Sequence, residues 1–170
     1  MNSANISLII LMLVCVQRLG ELFLAHKNTK YLLSHCDAYE VGRKHYPLLV
    51  LLHLLWLFSI YLMIDQTTVI NSVFLIIFCV LQLLRVWVIH TLGVYWTTRI
   101  IVVPNAKLVK RGPYRFFKHP NYLIVIAEVA VFPAIFGMWS ILLIFSIANA
   151  FILMIRVKIE NQSLIGKSIR

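Results

Sequence analysis

The sequence predicts an all-α integral membrane protein of about five transmembrane helices, on three observations. The 170 residues are 61% hydrophobic and only 13% charged, whereas a soluble domain runs about 45–50% apolar and about a quarter charged. The apolar residues fall into stretches of about 17–22 residues nearly free of charge, the length that crosses ~30 Å of hydrocarbon. Sixteen Lys and Arg against six Asp and Glu give a formal charge of +10, and those basic residues map on or toward one face. A soluble globular enzyme, a disordered chain and a disulfide scaffold are excluded.

The first span is about Ile6–Ala25. Met1–Asn5 carry no positive side chain and no small-residue cleavage pattern follows, so the run reads as a span rather than a leader. The second, Tyr46–Ile64, and third, Val69–His90, are joined by the short turn Asp65–Thr68. The fourth, Pro120–Gly137, and fifth, Trp139–Ile155, form another tight hairpin around Met138. Residues 120–137 at ~1.5 Å each reach ~27 Å, barely enough to cross. Pro120 suits a first helical turn, where its missing N–H would be unpaired anyway, and Pro133 should bend the helix. The long connections are basic: Lys27, Lys30, Arg43 and Lys44 in the first, then Arg99, Lys107, Lys110, Arg111, Arg115 and Lys118 in the second. The tail adds Lys158, Lys167 and Arg170. No Lys or Arg falls in the segments between the hairpin spans. The positive-inside rule therefore gives an N-out, C-in topology with a cytoplasmic connector before a short helical hairpin. It also removes the nucleic-acid reading of the charge. Residues 1–170 form one domain, with N-terminal helices over 1–68 and a second half over 69–170. Cys15, Cys36 and Cys79 are an odd count without redox or metal spacing, and the six histidines have no metal spacing either. No metal is expected.

Polar residues inside spans are costly and need a partner or a task. Ser146, Asn149, Arg156, Glu160 and Ser163 recur at steps of three, four or seven, one stripe on a helix. Arg156 and Glu160 are close enough to pair, and read either as a structural ion pair or as a solvent-accessible cofactor site. Cys79, Gln82 and Arg85 share a face of the third span, where Arg85 either snorkels to the interface or faces a site. Gln17, Glu21 and Asn28 share a face of the first helix, with Arg18 beside Glu21. Glu128 has no basic neighbour in sequence and needs an interior partner, for which Arg85 or Arg18 would serve. His53, alone in the second span, reads as a hydrogen-bonded packing residue rather than a ligand.

Between the third and fourth spans runs Leu108-Val109-Lys110-Arg111-Gly112-Pro113-Tyr114-Arg115-Phe116-Phe117-Lys118-His119-Pro120-Asn121-Tyr122. Gly112-Pro113 is a turn, Phe116 and Phe117 can bury at the interface, and Pro120 biases His119 toward an extended conformation. His119 and the free N–H groups of the next turn make a polar rim suited to an anionic group. This segment, with the later Arg156-x-x-x-Glu160-Asn161-x-x-Leu164, resembles the isoprenylcysteine carboxyl methyltransferase family. The likeness runs from about Leu84 to Leu164 and includes Arg85 and Leu92-Gly93. Gln17-Arg18-Leu19-x-Glu21 and Asn28 resemble its short bacterial branch, some of whose members methylate the hydroxyl of alkylpyrones made by type III polyketide synthases.

The resemblance implies a membrane enzyme using S-adenosylmethionine, in the bacterial cytoplasmic membrane with its active site facing the cytoplasm. It implies that His119, Pro120, Asn121, Tyr122, Glu160 and Tyr114, with backbone near Leu108 and Val109, border the cofactor. Arg156 would stand where cofactor and acceptor meet, and Arg85 and Glu128 are the other candidate catalytic residues. Two departures stand out: Asn161 occupies a place often acidic in the family, and the sequence ends at Arg170 without the tyrosines that commonly follow Gly166.

Methyl transfer from a sulfonium is an in-line displacement that needs alignment and a desolvated nucleophile. A carboxylate or a 4-hydroxypyrone ionises readily, which suits a chain with no Cys-His or Ser-His-Asp constellation. The expected activity is therefore O-methylation of an acidic hydroxyl or carboxyl oxygen on a lipophilic acceptor, most simply an alkylpyrone. Its expected partners are membrane lipid and a polyketide synthase, with no nucleic acid. The competing readings are isoprenylcysteine-type carboxyl methylation, phospholipid N-methylation, a membrane reductase with the same His-Pro core, and a non-enzymatic sensor or assembly factor. The topology is checked at Cys36: a maleimide that cannot cross membranes should label it only after permeabilisation, and labelling in intact cells would reverse the orientation.

Overall fold

A computed structural model describes residues 2–104, 106–107 and 109–165. It contains five α-helices: α1 (Ser3–His35), α2 (Tyr46–Met63), α3 (Ser72–Leu92), α4 (Pro120–Ile135) and α5 (Trp139–Ile165). Four of them, α1, α2, α3 and α5, are long and apolar enough to cross a membrane, while α4 is a shorter apolar helix. At 16 residues α4 spans ~24 Å. It is short at its far end because Pro133 stands in the last turn, where the carbonyls of Pro133 and Ala134 accept from Phe136, Gly137 and Met138. Pro133 thus closes the helix into the hairpin rather than bending its middle. At the opposite extreme, α1 and α5 outrun the expected spans by about three turns each. On α1 the buried positions Ser7, Leu11, Val14, Glu21, Ala25, Asn28 and Leu32 continue one stripe beyond Ala25, so the helix keeps a face to bury.

Capping explains the remaining boundaries. The Asn71 Oδ1 accepts from the N–H groups of Val73 and Phe74 at 3.0 and 3.3 Å, starting α3 three residues after the expected Val69. In the α2–α3 turn, the Asp65 carboxylate accepts from the Thr67 N–H and from the Thr67 and Thr68 hydroxyls. Those hydrogen bonds hold the Asp65 carboxyl below its usual range. One feature departs from the all-α expectation. The strands β1 (Tyr39–Val41) and β2 (Ile100–Val102) pair antiparallel, Tyr39 opposite Val102 and Val41 opposite Ile100. They join the two basic connectors, fastened by a 3.0 Å ion pair from Arg99 to Glu40. Three-residue strands carry too little alternation to register as a pattern in the sequence.

Cross-links show which helix ends lie together. The Asn28 amide donates to the carbonyls of Gly93 and Trp96 just past α3. The Asn71 N–H donates to the Ile135 carbonyl at the opposite end. Arg156 on α5 donates to the Thr98 carbonyl, and the Thr98 hydroxyl contacts the Tyr46 hydroxyl at the start of α2. The C-terminal ends of α1, α3 and α5 therefore share one end with the N-terminal ends of α2 and α4. That end carries the basic connectors.

Two apolar clusters hold the bundle. Leu11, Val14, Trp56, Ile60, Phe78, Val129, Phe132, Ile135 and Ile141 fill the far half, where Phe132 packs on Trp56, Phe78 and Phe136. Ala25, Val88, Trp96 and Ile124 fill the half nearer the connectors. Between them lies a charged layer. Arg85 donates two bonds to Glu21 through Nε and Nη2, at 2.5 and 2.6 Å, and one to Glu128 through Nη1 at 2.7 Å. Arg18 bridges the same two carboxylates at 2.9 Å each. The Gln17 amide donates to Glu21 and Gln82, and the Gln82 amide donates to Glu128. Two cations and two anions cancel, and α1, α3 and α4 are joined by charged side chains that satisfy one another at membrane depth. Arg85 therefore does not snorkel; it is buried. Glu128 takes both of its candidate partners.

Removing one member leaves uncompensated charge in a medium that does not solvate it, which costs about 3–5 kcal/mol for buried pairs. Glu128→Ala should lower the unfolding free energy in mixed micelles by about that amount, read from an SDS titration; a loss no larger than that of an exposed lipid-facing Leu→Ala variant would contradict it.

Candidate functional site

The described residues enclose a cavity of about 440 Å³ at the connector end of the bundle. Its roof is the ribbon, through Ile100, Ile101 and Val102. Its walls come from α1 and α2 on one side and from α4 and α5 on the other. Its floor is the charged layer, which contributes Arg18, Glu21 and Arg85. Lining residues from α1 and α2 are mostly apolar, among them Leu22, Leu49, Val50 and Leu57. Leu19 and Leu54 also line it, yet are 66% and 59% exposed. A side chain that borders a cavity and also faces outward marks an opening, so the cavity is open sideways between α1 and α2.

The polar wall is built by the start of α4 and the last third of α5. His119 precedes Pro120, which occupies the first helical position and is buried. The next turn brings Tyr122 beside His119, their rings stacked with centroids 5.6 Å apart. From α5, Glu160 accepts a 2.6 Å hydrogen bond from the Tyr122 hydroxyl and lies 3.4 Å from His119 Nδ1. The other ring nitrogen, Nε2, is 3.2 Å from Asn161 Oδ1. Asn161 thus meets His119 as an acceptor from a position where a carboxylate would also accept, so its amide keeps the hydrogen bond and drops the charge. Tyr114, from the Gly112–Arg115 turn, completes this wall. Its burial, and then the Glu160 carboxylate, push the hydroxyl above its usual range, so it remains a donor at neutral pH.

Arg156 is buried and lines the cavity. It does not pair with Glu160, although the spacing permits it: Tyr122 and His119 occupy Glu160, and Arg156 donates Nη2 to the Thr98 carbonyl at 2.8 Å. Arg156 Nε is buried with no hydrogen-bond partner among the described residues. Deeper on the same stripe, Ser146 Oγ and both amide atoms of Asn149 are also buried without partners among the described residues.

Of the residues singled out by sequence, the cavity gathers Tyr114, His119, Asn121, Tyr122, Glu160, Arg156 and Arg85. Asn121 also receives the Trp96 indole N–H at 3.4 Å. Pro120 shapes the wall without lining it. Glu128 lies behind the floor, held by both arginines and by Gln82. Val109 borders a neighbouring cleft instead, with Thr91, Lys107, Lys110 and Arg111, and Leu108 is outside the described residues. Sequence reasoning missed the ribbon's contribution and the Tyr46–Thr98–Arg99 corner, where Arg99 lies over the Tyr46 ring at 4.7 Å. It also set aside His53, which lines the cavity. A lone histidine in an apolar run was the available signal.

The donor and acceptor set fits S-adenosylmethionine. Glu160 offers a carboxylate to hydroxyl or ammonium groups, and Arg156 has a buried N–H without an acceptor among the described residues. Among known proteins, residues 73–166 match the isoprenylcysteine carboxyl methyltransferase (ICMT) family. The chain is 34% identical over 169 residues to the uncharacterized protein YpbQ of Bacillus subtilis (strain 168), covering 95% of this chain and 98% of that one. No solved structure matches.

Gly112 sets the height of Tyr114 in the wall. It has φ +56°, and a Cβ there would meet Thr91 Oγ1 at 2.7 Å. Thr91 cannot easily give way, since that hydroxyl donates to the Trp87 carbonyl at 2.7 Å. Gly112→Ala should therefore cost at least the ~1–2 kcal/mol of a left-handed non-glycine residue, seen as a lower melting temperature in detergent; an unchanged melting temperature would show that the turn is not held as described.

Proposed function

The chain belongs to the isoprenylcysteine carboxyl methyltransferase family, which points to membrane methyl transfer, and on that premise we propose an S-adenosylmethionine-dependent O-methyltransferase of a lipophilic acceptor. The observation that carries this reading is the joining, in one cavity, of a polar wall and an apolar interior open sideways between α1 and α2. A water-soluble cofactor suits the first, and the tail of a lipophilic acceptor suits the second.

In this reading Glu160, His119, Tyr122 and Tyr114 hold the cofactor, which when bound supplies an electrophilic methyl group on a sulfonium. Arg156, which lines the cavity, steadies the acceptor oxygen with the positive charge of its guanidinium. The apolar lining of α1 and α2 excludes water and leaves the nucleophile poorly solvated. Arg85 and Glu128 act through position: both are held by opposite charge, so they fix the floor against which the acceptor is set. The acceptor class is an alkylpyrone-type polyketide, which brings a type III polyketide synthase as the supplying partner. The orientation is N-out and C-in, with the polar wall toward the cytoplasm of a bacterial cell. Carboxyl methylation of a prenylated cysteine fits the same cavity, and the methylated product separates the two acceptors.

Titration calorimetry on purified protein tests the cofactor assignment. Loss of one hydrogen bond to a charged group removes about 1.5–3 kcal/mol, so Glu160→Gln and His119→Ala should each weaken S-adenosylmethionine binding by about tenfold or more. Wild-type protein that binds none would end the proposal.

A further inference from the structure

We propose that His53 receives the proton of the acceptor's hydroxyl group, which makes the preferred acceptor of this cavity a hydroxyl that enters the bundle still protonated. The inference rests on the methyltransferase reading and deepens it. Between Pro47 and Ile60 of α2, His53 is the only ionisable side chain. It lines the cavity. Its Nδ1 is 2.8 Å from the Leu49 carbonyl oxygen, one turn earlier. A carbonyl only accepts, so Nδ1 carries the hydrogen, and in the neutral ring Nε2 carries the lone pair. The bond to its own helix turns Nδ1 back toward the backbone and Nε2 away from it. Trp56 meets the ring nearly edge to face, with centroids 6.1 Å apart, and limits its rotation.

Nε2 has no hydrogen-bond partner among the described residues, and it is not among the sealed polar atoms of the bundle. An accessible acceptor at membrane depth on a cavity wall calls for a donor. The other charged lining groups at the floor, Arg18, Glu21 and Arg85, already bond one another or Glu128. None of them is a base with a free lone pair matched to an O–H. His53 is.

This polarity selects between acceptor classes. A hydroxyl donates to Nε2, whereas a carboxylate oxygen would set lone pair against lone pair. A 4-hydroxypyrone ionises readily in water, but it enters the apolar interior at less cost as the neutral enol than as an anion. It is the enol taken up from the bilayer that needs a base. In the transfer step the acceptor oxygen forms a bond to the methyl carbon. The methyl–sulfur bond breaks with its electron pair going to sulfur, and the hydroxyl proton moves to Nε2. The products are a methyl ether, the thioether S-adenosylhomocysteine and an imidazolium, which passes its proton to water as the products leave. General-base assistance of this kind is worth about 10²–10⁴-fold in rate.

The test uses full-length protein in lipid nanodiscs with a long-chain 4-hydroxy-6-alkyl-2-pyrone, and a long-chain fatty acid as the carboxylate comparison. His53→Ala should slow pyrone methylation by about 100-fold or more while leaving the S-adenosylmethionine dissociation constant within about twofold, which shows an intact fold. Added imidazole should restore at least about tenfold of the lost rate. His53→Gln keeps bulk and a hydrogen-bond acceptor but cannot carry a proton away, and should be as slow as His53→Ala. Near wild-type turnover in either variant, a loss that imidazole does not restore, or a wild-type preference for the fatty acid would overturn the assignment. Wild-type protein that binds no S-adenosylmethionine would instead remove the methyltransferase reading on which it rests.

Discussion

Everything at the connector end of this bundle depends on one compensated layer of charge within the apolar helices. Arg18 and Glu21 on α1, Arg85 on α3 and Glu128 on α4 satisfy one another, with Gln17 and Gln82 filling the remaining positions. In hydrocarbon, helices gain little from burying apolar faces against one another, because lipid is as apolar as leucine. Directional bonds then decide the register. A shift of one residue between α1 and α3 would strand at least one full charge, so the layer fixes helix heights as well as holding the helices together. The floor of the cavity is the upper surface of that layer, and its position follows from this register.

The cavity walls inherit their chemistry from two helices that meet it differently. α4 presents its beginning, where a proline-fixed first turn brings His119 and Tyr122 to the rim. α5 presents a long middle-to-end stretch, so that one stripe runs from the buried Asn149 to Glu160. Where the two meet, Glu160 accepts from Tyr122 and lies beside His119. Arg156 is thereby left to the Thr98 carbonyl. The ribbon closes the roof by pairing two connectors far apart in sequence, and the Arg99–Glu40 pair with the Tyr46 ring keeps that roof over the mouth.

Much of the helical plan was legible in the sequence because lipid imposes a length and a charge rule that few sequences meet by chance. The interior carboxylates were legible too: Glu128 in an apolar run demands a cation, and two arginines were within reach. What could not be read were pairings settled by competition. Arg156 and Glu160 have ideal spacing for a helix pair, yet each has a stronger claim from another element. Pro133 resembles a kink in sequence and serves as a terminator, because its own carbonyl and that of Ala134 close the turn that follows. His53 resembles packing in sequence because nothing in one strand of text reveals which side of α2 faces a cavity. Three-residue strands fall below any periodicity.

The sideways opening marked by Leu19 and Leu54 has a consequence for how an acceptor would be supplied. A molecule entering from the bilayer is drawn from a two-dimensional reservoir already enriched by partitioning, at about 0.8 kcal/mol for each methylene in its tail. Under the proposed function, long-chain acceptors would then be favoured over short ones before any contact with the protein. The meaningful substrate concentration would be a mole fraction in lipid. Apparent preference for chain length would belong largely to the membrane, while choice among headgroups would belong to the polar wall and floor.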